Sequence, residues 1–102
     1  MDVLMKIKRL VLRGYVRFTQ KALDEMDSDG LQPGDVSEAI LNAQTVHKVV
    51  RSRSTGRRFS GEKLYVIKSF DFRGTLIYTK GTIAEEDGQE FFYVLISAKI
   101  AT

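Results

Sequence analysis

Helical patterns followed by a run of short strands: this order, along 102 residues, predicts an α+β domain. Its expected architecture is N-terminal helices packed on one face of an antiparallel β-meander of about four strands, in a single domain over residues 1–102. Three observations carry the prediction. Up to residue 43 the apolar residues recur at helical spacing. After it the apolar residues are mostly β-branched or aromatic. Glycine-containing turns then divide the second half into short pieces.

The first helix is expected over residues 2–13. Val3, Leu4, Ile7, Leu10 and Val11 make its apolar stripe, Lys6, Arg9 and Arg13 lie off it, and Gly14 is a natural stop. Val16, Arg17 and Phe18 form at most a small extended piece. Thr19 can cap a second helix over residues 20–27, with Ala22, Leu23 and Met26 on its buried face. Asp27-Ser28-Asp29-Gly30 ends it. Pro33 opens a third helix, whose stripe is Val36, Ala39, Ile40 and Ala43.

Residues 45–51 are β-branched and basic, and residues 52–61, with two glycines and three serines, predict a flexible connection. Residues 63–72 and 75–83 predict two strands about a turn at Arg73-Gly74. Asp87-Gly88 is a hairpin signal, and residues 89–100 predict the last strand. Unbroken alternation there places Phe92, Val94, Ile96, Ala98 and Ile100 toward the helices. Phe91, Tyr93, Leu95, Ser97 and Lys99 then face the other way.

Composition excludes several chemistries. There is no cysteine, hence no disulfide framework, zinc knuckle, iron–sulfur site or thiol nucleophile. His47 is the only histidine, which excludes a His-rich metal site. No glycine–lysine–serine/threonine pattern forms a nucleotide-binding loop. No apolar stretch approaches the roughly 20 residues of a membrane span. Lys6, Lys8 and Arg9 interrupt any signal-peptide core, so no membrane association and a cytoplasmic location are expected.

The net charge of +3 is unevenly spread. Residues 1–19 carry net +4, residues 20–43 net −5, residues 44–63 net +5 and residues 64–102 net −1. Two basic segments around an acidic one suggest a polyanion-binding face, or only a solvated surface. The acidic residues Asp24, Glu25, Asp27 and Asp29 are expected as a solvated helix end, and Glu85-Glu86 as solvated turn residues.

Residues 47–58 hold Lys48, Arg51, Arg53, Arg57 and Arg58 among several hydroxyls. Such a segment can wrap phosphates, arginine supplying forked donors. Phe59, Tyr65, Tyr78 and Tyr93 can stack on unpaired bases or simply fill the core. Tyr78 and Lys80 share a strand face. Lysine, arginine and tyrosine together can cleave RNA without metal or histidine. A lysine base takes the 2′-hydroxyl proton, arginine stabilises the phosphorane, and tyrosine or lysine protonates the 5′-oxygen. His47 can join as acid or base, or be structural.

The order of helices, a strand entering a basic loop and a β-meander resembles the RelE-type bacterial toxins, and within them the MqsR branch. The stretch Leu12-Arg13-Gly14-Tyr15-Val16-Arg17-Phe18-Thr19-Gln20-Lys21-Ala22-Leu23 is similar to that branch's first helix end and second helix start. Residues 36–41 resemble its next helix and Val46-His47-Lys48 its aromatic–lysine strand. Gly74-Thr75-Leu76-Ile77-Tyr78-Thr79-Lys80 resembles its glycine–tyrosine–lysine strand, and Ile96-Ser97-Ala98-Lys99 its terminal strand. The chain also resembles an uncharacterised toxin-like bacterial family encoded beside small zinc-finger antitoxins. The family's glutamine before the central strands has no match here, with Lys63 or Lys68 falling nearby.

The resemblance implies a toxin of a type II toxin–antitoxin pair, an mRNA endoribonuclease that uses no metal or other cofactor. By position it assigns catalysis to Lys48, Tyr78 and Lys99. RNA binding then falls to Arg51, Arg53, Arg57, Arg58 and Lys80. The implied partners are RNA, including ribosome-bound mRNA, and an antitoxin of zinc-finger or helix-turn-helix type. Two alternatives remain open: a non-catalytic RNA- or protein-binding module of the same fold, and a structural protein whose apolar last strand is a partner edge.

Overall fold

Each helix starts and stops where local chemistry directs. In α1 (Val3–Leu12) the Asp2 carboxylate accepts the Met5 amide at 2.9 Å, and Ile7, Leu10 and Val11 are buried. These details come from a computed structural model that describes residues 2–52, 62–86, 88 and 90–102. In α2 (Gln20–Asp29) the Thr19 hydroxyl accepts the Ala22 amide at 3.2 Å, and Gly30, at φ 71°, closes the helix two residues later than expected. In α3 (Pro33–Asn42) the Asp35 carboxylate accepts the Gln32 amide at 2.9 Å. No helix among the described residues is long and apolar enough to cross a membrane.

Among the described residues the sheet has five strands rather than about four, in the order β1-β5-β4-β3-β2. They are β1 (Val16–Phe18), β2 (Lys48–Arg51), β3 (Lys63–Phe70), β4 (Leu76–Glu86) and β5 (Glu90–Ile100). The sheet is also mixed rather than wholly antiparallel. The small extended piece at Val16–Phe18 pairs parallel with β5, Val16 opposite Tyr93 and Phe18 opposite Leu95. The other neighbours run antiparallel. Most of the expected connection over residues 52–61, and Asp87 of the hairpin, lie outside the described residues.

The core lies between the helices and one sheet face. Ile7 and Val11 of α1, Met26 of α2, and Val36, Ala39 and Ile40 of α3 meet Ile67, Ile77, Tyr93, Leu95 and Ala98. Complete burial of one such large aliphatic side chain contributes about 1.5–3 kcal/mol.

A β-bulge decides which β5 residues join that core. Lys80 pairs with Ser97, but the next residue, Gly81, pairs with Leu95, so Ile96 is an extra residue in β5. The insertion reverses the alternation expected for this strand. Tyr93 and Leu95 face the helices before the bulge, and Ala98 faces them after it. Phe92, Val94, Ser97 and Lys99 occupy the opposite face. The expectation thus holds for Ala98 and fails for Phe92, Val94, Tyr93 and Leu95.

Nor is β5 a sheet edge. It lies between β1 and β4, and beyond β1 its outward amides are taken by α2. The Glu25 carboxylate accepts the Ala98 amide at 3.1 Å and the Ser97 hydroxyl at 2.7 Å, and Asp29 accepts the Ile100 amide at 2.8 Å. Four helical residues rise about 6 Å and two strand residues about 6.6 Å, so the carboxylates match alternate strand amides. Glu25 and Asp29 are therefore a cap on the sheet rather than part of a solvated helix end, and β5 is not a free partner edge.

Candidate nucleic-acid interface

The strand registers assemble a set of side chains on the sheet face opposite the helices. One row across β3, β4 and β5 is Lys68, Tyr78 and Lys99. The next, across β2 to β5, is Lys48, Val66, Lys80 and Ser97. A third row, at the far end, begins with Phe70 and Leu76. Residues directly opposite in neighbouring strands project to the same face, so each row is a line of adjacent side chains.

Tyr78 is the centre of the first row. Its two register partners are both lysines, and Lys99 Nζ stands 5.4 Å from its ring centroid. This places an ammonium near the aromatic face, within cation–π range. Lys48, Lys68 and Lys99 are exposed, while Tyr78 and Lys80 are half-buried. The three rows contain no carboxylate. Glu25 reaches the second row only through the Ser97 hydroxyl. Accessibility falls along the face, from Phe70, 54% exposed, to Leu64, Val66 and Val94, all buried.

The expected site residues divide accordingly. Tyr78, Lys80 and Lys99 are brought together. Lys48 shares their face but lies two strands from Tyr78 and three from Lys99, about 14 Å across the strands from the latter. Arg51 pairs with Lys63, three residues along β2 from Lys48, which gives it the opposite parity. Arg53, Arg57, Arg58 and Phe59 lie outside the described residues. Of the other aromatics, Tyr93 is buried against the helices and Tyr65 packs partly against that core. His47 is exposed, and its amide donates to the Val66 carbonyl at 2.8 Å.

Sequence reasoning passed over three members of this face. Lys68 and Phe70 continue the even-numbered series Leu64, Val66, Lys68, Phe70 of β3, a parity signal available in the chain itself. Arg17 of β1 pairs with Val94, and its guanidinium lies 4.2 Å from the Phe92 ring centroid. That ring in turn stands 5.7 Å from Tyr15.

A second cluster, Asp35, Glu38 and Asp71, brings three carboxylates within 4.8 Å of one another. Local donors occupy each. Arg73 bonds Asp35 at 2.8 Å, the Phe72 amide bonds Glu38 at 3.0 Å, and the Arg73 and Thr75 amides both bond Asp71 at 2.9 Å. The cluster fastens the β3–β4 turn to the start of α3.

The chain matches no family model, no curated protein and no solved structure.

Proposed function

We propose that this protein binds RNA on the sheet face opposite its helices and cleaves it without a metal ion, as a RelE-type toxin controlled by an antitoxin. One observation supports this best: Tyr78 stands between Lys68 and Lys99, with Lys80 and Lys48 in the neighbouring row and no carboxylate among them. A row of ammonium groups attracts phosphates, and a phenol between two cations can donate to a phosphate oxygen.

In cleavage a water molecule takes the 2′-hydroxyl proton, the 2′-oxygen attacks the adjacent phosphorus, and the bond from phosphorus to the 5′-oxygen breaks. The phosphorane gathers negative charge, and the leaving 5′-oxygen gains a proton. Lys68 and Lys99 flank the position where that charge develops, and Tyr78 is the proton donor placed between them. Lys48, two strands from Tyr78, is better placed to hold a flanking phosphate than to touch the reacting one. That separation favours one alternative, a module that binds RNA and does not cut it.

The deciding experiment incubates the purified protein with RNA in EDTA, with and without ribosomes. Cleavage that survives EDTA and is lost in Tyr78→Phe and Lys99→Ala supports the proposal, as does growth arrest on expression. Salt-sensitive binding without cleavage under either condition establishes the non-catalytic module instead. Absence of both overturns the proposal.

A further inference from the structure

We infer that Phe70 is a base-stacking platform, so that the ligand of this face is single-stranded rather than duplex RNA. The inference rests on the RNA-binding proposal and adds the strand state and a contact residue. Phe70 lies on the same side of β3 as Lys68, about 6.6 Å along the strand, and its register partner is Leu76. It is 54% exposed, an aromatic ring of a sheet face left in water. Its backbone is firmly held. The Phe70 carbonyl accepts the Asn42 side chain at 2.9 Å, and the following turn is fastened through Asp71.

Charge complementarity selects the occupant. The next row along the face is Lys68, Tyr78 and Lys99, all without a carboxylate neighbour in the row. Lysines beside a fixed aromatic ring offer phosphate contacts and a stacking surface one step apart. Single-stranded nucleic acid needs that pairing, because its bases are free to stack on side chains. A duplex hides its base faces and can use only the lysines.

The chain has no tryptophan, so Phe70→Trp introduces a single indole, excited apart from the tyrosines, at the proposed contact. The probe is a 2′-O-methyl oligouridylate, which lacks the attacking hydroxyl and cannot be cut by the proposed route. Leu12→Trp, at a position 71% exposed on α1, is the control. Saturable quenching is expected for Phe70→Trp with the single strand, and none for Leu12→Trp. A blunt RNA duplex should bind without quenching. Phe70→Ala should weaken single-strand binding about 5- to 100-fold, and Phe70→Tyr should retain it. Circular dichroism checks that each variant folds.

If wild type binds the oligouridylate and Phe70→Ala binds it equally well, stacking is overturned and the RNA-binding proposal stands. Equal quenching by duplex and single strand also overturns it. If wild type binds neither RNA at low salt, the functional proposal falls, and the stacking inference with it.

Discussion

The ring of Tyr93 occupies the space where a side chain at Gly81 would begin. A Cβ on residue 81 would come 2.7 Å from Tyr93 Cζ and 2.8 Å from the Val94 carbonyl oxygen. Gly81 stands at the register step where β5 gains Ile96. The bulge keeps Tyr93 in the core and turns Lys99 to the opposite face, beside Tyr78.

Gly81→Ala should therefore destabilise the protein by about 2–3 kcal/mol, the upper range for overpacking, because backbone as well as a ring blocks relief. Urea unfolding measures it. A loss below about 0.5 kcal/mol would show that the two strands separate easily at this point.

Tyr93 is fully buried, and its hydroxyl has no hydrogen-bond partner among the described residues. Burial, together with the nearby Tyr65, drives its ionisation far above the ordinary phenol value. Removing an unsatisfied hydroxyl forfeits no bond. Tyr93→Phe should leave stability unchanged or raise it by up to about 1 kcal/mol. A drop of more than about 1 kcal/mol in thermal unfolding would reveal a hydrogen-bonding role.

Burial alone would raise the Glu25 carboxyl, but bonds from the Ser97 hydroxyl, Lys21 and the Ala98 amide outweigh it, and the pKa falls below the usual 4.5. A folded-state pKa below the unfolded value stabilises the protein above the ordinary carboxyl range. That stability is lost as pH falls through the lowered value. Asp35 acts in the same direction, held down by the Gln32 amide and Arg73 despite partial desolvation. Acid unfolding of wild type against Glu25→Gln isolates the Glu25 share. The variant should be less stable at neutral pH, and the gap should close below the ordinary carboxyl range. Glu25→Ala should cost about 1–3 kcal/mol by stranding the Ala98 amide. A gap constant with pH would show that Glu25 does not titrate with folding.

For the RNA-cleaving proposal, Tyr78→Phe should lower cleavage about 100-fold or more while leaving binding nearly intact. Lys99→Ala should instead weaken binding and reduce the slope of log affinity against log salt by about one. If Tyr78→Phe cuts at the wild-type rate, the phenol is not the proton donor.

Much of the fold was legible from the chain. Thr19 and Pro33 mark two helix starts, and the apolar spacing names most of each buried face, with Leu23, expected inside α2 but 40% exposed, the exception. The candidate site was legible in part. Parity set Tyr78 and Lys80 together, and the even positions of β3 carried Lys68 and Phe70 to a common face of that strand.

What remained hidden were relations across the chain. Capping and periodicity act within a few residues, so the sequence alone determined three helices and a following run of strands. The parallel pairing of Val16–Phe18 with β5, the acceptance of β5 amides by Glu25 and Asp29, and the placing of Lys99 against Tyr78 were decided only in the tertiary structure. The cause is physical. Side-chain direction in a strand has period two, and one inserted residue, Ile96, reverses every position beyond it. That insertion is defined by the partner strand and leaves no mark in β5 read by itself.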